Sequence, residues 1–153
     1  MAIEGYYQSR GGGLAGPYVR AFVMFPRLYV GNSIEFLIDT GAESTTLHTA
    51  DIELIQVDYR HLRRNSRMTG FGIGGRVRYY REPAVVVFRD SEGGTRTFAV
   101  ELGVSERTRD RERRGLPSLL GRDFLNRCRV FLDSELNIVQ LEPRNVSGGL
   151  VLA

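Results

Sequence analysis

One stretch constrains this chain more than any other: Glu35-Phe36-Leu37-Ile38-Asp39-Thr40-Gly41-Ala42, where a carboxylate ends an apolar run and a small, bendable tripeptide follows at once. Phe36, Leu37 and Ile38 have the aromatic and β-branched make-up of a strand entering a core. Asp39 therefore arrives at the edge of that core. A carboxylate in such a place needs partners, because burying it alone costs several kcal/mol or shifts its pKa until it neutralises. Thr40 adds a hydroxyl, and Gly41 allows a close backbone approach that a side chain would forbid. Taken alone, Asp-Thr-Gly has two readings, a site of chemistry or an ordinary turn that ends a strand.

The rest of the chain narrows the setting. A length of 153 residues with 42% apolar content suits one domain with its own core. No run approaches the roughly 20 apolar residues of a membrane span, and Met1 to Gly13 holds no apolar stretch of signal-peptide length. The expectation is a soluble, cytoplasmic chain with no membrane partner. Cys128 is the single cysteine, so no intrachain disulfide forms, and a buried thiol is its expected role. Every basic residue is Arg, with Lys absent, yet the net charge is only +3. That balance is too small to mark a nucleic-acid surface.

In chain order, residues 1–16 read as a flexible, glycine-bearing lead-in, centred on Gly11-Gly12-Gly13. Tyr18 to Phe25 has strand composition, Pro26 interrupts it, and Leu28 to Val30 resumes before a break at Gly31-Asn32-Ser33. The Asp39 strand follows. Thr49 reads as the N-cap of a short helix through Ile55. Thr69-Gly70-Phe71-Gly72-Ile73-Gly74-Gly75 precedes an alternating strand, Arg76 to Arg81, and reads as a glycine-rich hairpin tip with one apolar side chain, Ile73. Ala84 to Phe88 and Thr95 to Leu102 are strands around the turn Asp90-Ser91-Glu92-Gly93-Gly94. Ser105 to Arg114 alternates in charge, as an exposed loop or one short charged helix. Ser118-Leu119-Leu120-Gly121-Arg122 then leads into a short helix and two strands, Val130 to Asp133 and Asn137 to Leu141.

Three motifs in this order, Asp39-Thr40-Gly41-Ala42, Gly72-Ile73-Gly74-Gly75 and Leu119-Leu120-Gly121-Arg122, resemble the single-domain retroviral-type, or retropepsin-like, aspartic proteases. The resemblance spans Pro17 to Leu141 and is closer to the cellular and bacterial members than to the viral enzymes. It implies a mostly β fold, a closed acid-protease-type β barrel with one short C-terminal helix and a flap hairpin, functional as a homodimer. The division that follows is a lead-in at 1–16, the protease domain at 17–142 and a tail at 143–153. One Asp-Thr-Gly per chain means that each subunit would supply one catalytic Asp39, with a peptide held in extended conformation and no cofactor or metal.

Carried over residue by residue, Thr40 resembles the threonine that bonds across the dimer, and Gly41 the residue whose carbonyl meets substrate, with Ala42 completing the turn. Gly72, Ile73, Gly74 and Gly75 resemble the flap. Leu119, Leu120 and Gly121 would support the turn from beneath. Glu43 stands where the viral enzymes carry an acidic residue paired with an arginine, so the resemblance implies a Glu43 to Arg122 ion pair. The family's terminal strands commonly build the dimer sheet, and whether Asn145 to Ala153 does so stays open.

Two other function classes compete. The same fold could serve as a catalytically silent, dimeric peptide-binding or regulatory module. The arginine-rich stretches Arg60 to Arg67 and Arg107 to Arg114 could form a nucleic-acid surface, but interspersed Asp and Glu argue against it. His48, His61 and Cys128 lack metal-ligand spacing, and Cys128 has no sequence partner for nucleophilic chemistry.

Overall fold

The computed structural model describes residues 1–63, 66–72, 75–144 and 151–152. It is mostly β, with strands β1 (Ile3–Gln8), β2 (Gly16–Phe25), β3 (Val30–Ile38), β4 (Thr46–Leu47), β5 (Arg67–Gly72), β6 (Gly75–Arg89), β7 (Thr95–Ser105), β8 (Ser118–Leu120), β9 (Cys128–Asp133), β10 (Ile138–Pro143) and β11 (Val151–Leu152). Three short helices intervene: α1 (Thr49–Ile55), α2 (Arg111–Arg114) and α3 (Arg122–Leu125). None of the described helices is long and apolar enough to cross a membrane.

Strands β2, β3, β8, β4, β7 and β6 pair in that order, and β6 returns to β2, closing a six-stranded barrel. Period-two patterning builds its interior: Ile34, Phe36 and Ile38 of β3 face inward, as do Ala84, Val86 and Phe88 of β6. Strand β8 inserts between β3 and β4, running parallel to β3 with Ile38 opposite Leu120 and antiparallel to β4 with Thr46 opposite Leu119. A stack of Phe88, Phe98 and Phe124, with centroids 4.9–6.0 Å apart, ties α3 to the β6–β7 wall.

Three sequence expectations change. Residues 3–8 are a strand and not a flexible lead-in: β1 pairs with β10 at Ile3 to Gly5 and with β2 at Tyr6 to Gln8, and Ile3 is fully buried. Gly5 permits the crossing, since a Cβ there would stand 2.1 Å from Tyr18 O. Gly31-Asn32-Ser33 lies inside β3, because Pro26 starts a single 3-10 turn that ends at Tyr29, with a left-handed φ of 55°, and so reverses the chain earlier. Thr49 is the first residue of α1 and is buried, with His48 at the N-cap position.

The β5–β6 arm pairs antiparallel from Arg67 with Tyr80 out to Gly72 with Gly75. Ile73 and Gly74, the tip of the expected flap, lie outside the described residues. In the 143–153 tail, 145–150 and 153 also lie outside them, and Val151–Leu152 pairs with Phe98 and Thr97 of β7.

Candidate active site

Strand β3 delivers Asp39 to the end of the barrel wall. The Asp39 N–H donates to Leu120 O at 3.1 Å, one step past the last β3–β8 pair, which sets where the chain leaves the sheet. The chain then reverses: Ala42 N–H donates to Asp39 O at 3.2 Å, and Gly41 N–H donates to Asp39 Oδ1 at 2.8 Å. That second bond orients the carboxylate from within its own turn. Asp39 is half-buried, whereas Thr40 and Gly41 are exposed. The Thr40 hydroxyl makes no hydrogen bond to any described residue.

The Leu-Leu-Gly segment braces the turn from below. Leu120 is buried and Leu119 half-buried. Arg122 N–H donates to Ala42 O at 2.8 Å, and Asp123 N–H donates to Glu43 O at 3.1 Å. Gly121 N–H donates to the Thr45 hydroxyl at 3.1 Å. Thr45 in turn donates from its backbone to both Asp123 carboxylate oxygens at 3.0 Å, and from its hydroxyl to Oδ1 at 2.7 Å. Thr45 is buried, and the Asp123 bond satisfies its hydroxyl and amide together. Sequence reading missed this pair, whose partners lie 78 positions apart.

Gly121 is where no side chain fits. A Cβ would stand 2.6 Å from Ser44 C and 2.7 Å from Ser44 O, which are backbone atoms of the turn itself. Gly121→Ala is therefore expected to displace the turn, lowering stability by about 1–3 kcal/mol and cutting any activity of the site more than proportionately. Urea unfolding read beside turnover checks this, and an unchanged midpoint with full turnover would contradict it.

Arg122 departs from the role implied by resemblance. Its Nη1 donates to Thr40 O at 3.1 Å and to Gly41 O at 3.3 Å, and it makes no ion pair with Glu43 within the described chain. The carbonyls of the turn point their negative ends outward, so a guanidinium beside them finds two acceptors in a ready fork. The Glu43 side chain is exposed, and its backbone oxygen makes the contact to Asp123 instead.

Two other chemistry-bearing side chains, Cys128 and His48, make structural contacts. Cys128 is buried, and desolvation pushes its thiol up to about 11, so the thiolate needed for nucleophilic attack is scarce at neutral pH. His48 Nδ1 donates to Pro117 O at 2.5 Å, and its backbone N–H donates to the Ser118 hydroxyl at 3.0 Å, which secures α1 to β8. No group of three His, Cys, Asp or Glu among the described residues is placed to hold a metal.

At the root of the β5–β6 arm, Tyr59 sets its ring edge-on to Tyr80, with centroids 6.3 Å apart, and donates its hydroxyl to Ser105 O at 2.8 Å. Burial pushes the Tyr59 phenol up to about 12, so it remains a donor throughout the neutral range. Arg67 pairs with Glu106 across the same root.

Neither a family model nor a curated protein matches the sequence. Among solved structures, the chain is similar to a retropepsin-like aspartic protease from Rickettsia conorii, at 20% identity and a TM-score of 0.52, over 92% of this chain and 91% of that one. It is also similar to EIAV protease complexed with the inhibitor HBY-793, at 20% identity and a TM-score of 0.46, over 78% and 91% of the two chains. A closed barrel with β8 inserted between β3 and β4, extending over nearly the whole of the rickettsial chain, gives this protein the retropepsin-like fold.

Proposed function

We propose that this protein is an aspartic endopeptidase of the cytoplasm that works as a homodimer, with one Asp39 carboxylate from each subunit. The observation that carries the reading is the Asp39-Thr40-Gly41 turn, held at the end of β3 by Leu120 O and by its own Gly41 N–H, within a retropepsin-like fold. One chain holds one such turn, so the pair forms only across a two-fold axis. The exposed Thr40, whose hydroxyl is unspent among the described residues, is suited to bond the partner's turn.

Two carboxylates in contact do not both ionise, so the dyad shares one proton. The ionised member takes a proton from a water held between them, and that water attacks the scissile carbonyl. The protonated member donates to the carbonyl oxygen, giving a tetrahedral diol. Collapse returns the hydroxyl proton to one carboxylate while the other protonates the departing nitrogen, which restores the starting charge. A peptide in extended conformation would lie under the β5–β6 arm, with Gly72, Ile73, Gly74 and Gly75 as its cover.

Incubation of the chain with an unbiased peptide mixture from pH 3 to 8, read by mass spectrometry over a range of protein concentrations, tests the reading. Cleavage whose specific rate rises with protein concentration is the expected result. A folded dimer that cuts nothing at any pH contradicts it, and leaves a peptide-binding module as the better account.

A further inference from the structure

We propose that the outer face of the β5–β6 arm docks an acidic segment of a partner polypeptide, gripped by Arg67, Arg76, Arg78 and Arg107 on the side turned away from Asp39. The register of the arm places these side chains. Arg67 lies opposite Tyr80, and Thr69 lies opposite Arg78. Facing residues of an antiparallel pair share a side, as do alternate residues along a strand. Arg67, Arg76, Arg78 and Tyr80 therefore project from one face of the ribbon. Tyr80 meets the ring of Tyr59, and the Arg107 guanidinium lies 5.3 Å over that ring, so Arg107 joins the same side.

The opposite face looks toward the candidate active site. Tyr79, one position along from Arg78, sets its ring where a Cβ on Gly70 would stand 3.0 Å away and a Cβ on Gly103 3.2 Å away, and the Gly103 position also meets Thr46. Thr46 pairs with Leu119, in the segment that braces the Asp39 turn. A peptide covered by the arm lies on the Tyr79 side. The arginines stand outside that cover.

Charge on the outer face is unbalanced. Glu106 is paired with Arg67, and the carboxylates nearest the root, Asp58 and Glu53, are paired with Arg60 and Arg114. Arg67, Arg76, Arg78 and Arg107 are all exposed, and Arg78 and Arg107 have no carboxylate partner among the described residues. The Glu106 N–H donates to Arg78 O at 3.2 Å, which brings Arg107, the next residue, up against the strand that carries Arg78. Exposed cations gathered on one face draw in and orient an anionic partner, and each guanidinium offers a carboxylate a two-pronged grip.

Spacing selects the partner's chemistry. Arg76 and Arg78 are alternate residues of one strand, so their roots are about 7 Å apart, the same repeat as alternate side chains of an extended peptide. Acidic residues at every second position meet them in step, and neutral residues between pass Glu106 without repulsion. A nucleic-acid strand carries a charge at every residue and has no such gaps. It also binds by stacking bases on open aromatic rings, whereas Tyr59 is already engaged by Tyr80 and Arg107.

Fluorescence anisotropy of the full chain with a labelled peptide of alternating Glu and Ser tests this. Binding is expected to be at least tenfold tighter than to the same peptide with Gln for Glu, and to weaken severalfold between about 0.05 and 0.3 M salt as screening shortens the reach of the charges. Arg78→Glu with Arg107→Glu is expected to weaken it at least tenfold with an unchanged melting temperature, while Arg129→Glu, the same kind of change on β9, leaves it intact. Equal affinity for the Gln peptide, indifference to the Arg78 and Arg107 changes, an equal response to Arg129→Glu, or tighter binding of an oligothymidylate would overturn the assignment. The bound peptide is expected to be recovered whole, and its cleavage would place it in the cleft and overturn the assignment too. Binding in a chain that cuts no peptide of any kind would uphold this surface and reject the endopeptidase.

Discussion

If the protein is the endopeptidase proposed above, Asp39→Asn is expected to abolish peptide hydrolysis without unfolding the chain. The expected loss is at least about 10⁴-fold, the upper end for removing a general acid or base, because this single change removes the acid and the base together from a symmetric pair. Asn is the informative replacement: its Oδ1 still accepts from Gly41 N–H, now 2.8 Å from Asp39 Oδ1, so the turn keeps its shape. Mixing supplies a second readout. With equal amounts of the two chains associating at random, about a quarter of the dimers hold two intact aspartates, and activity falls toward that fraction of the value for undiluted wild type. Activity that falls only to half would mean that each chain works alone, and the shared-dyad mechanism would be lost.

Most of the barrel was legible in the sequence because period-two alternation is a local consequence of having one buried face. Ile34, Phe36 and Ile38 alternate with half-buried or exposed neighbours, and the pattern identifies both the strand and its inward face. Strand β1 was not legible, since Ile-Glu-Gly-Tyr-Tyr-Gln holds little alternation and its glycine signals mobility. In the folded chain Gly5 serves a close approach to Tyr18 O that only a tertiary partner reveals. The Asp39-Thr40-Gly41 turn was visible as a motif, and so was the Leu119-Leu120-Gly121 segment that hydrogen-bonds beside it. The Thr45–Asp123 bond and the turn of Arg122 toward the Thr40 and Gly41 carbonyls were not, because contacts between distant segments leave no periodic trace. The same holds for the tie between Arg27 and Glu82, 55 positions apart.

That tie carries the largest stability effect expected of a single change. Glu82 is fully buried at the point where the β5–β6 arm joins the barrel wall. Arg27 grips it with two hydrogen bonds, Nε to Oε2 at 3.0 Å and Nη2 to Oε1 at 2.6 Å, and donates also to His61 O at 2.5 Å. The two partners are not equivalent, because the Arg27 side chain is 41% exposed and that of Glu82 is 0% exposed. Removing the glutamate leaves a cation that water can reach. Removing the arginine strands a carboxylate where water cannot reach it, so Arg27→Ala is expected to cost about 3–5 kcal/mol, and Glu82→Gln distinctly less. Urea unfolding of both variants at pH 7 measures this directly. A deficit for Arg27→Ala no larger than that of Glu82→Gln would mean that Glu82 has another route to solvent or to a partner, and that the arm's root is not held by this pair.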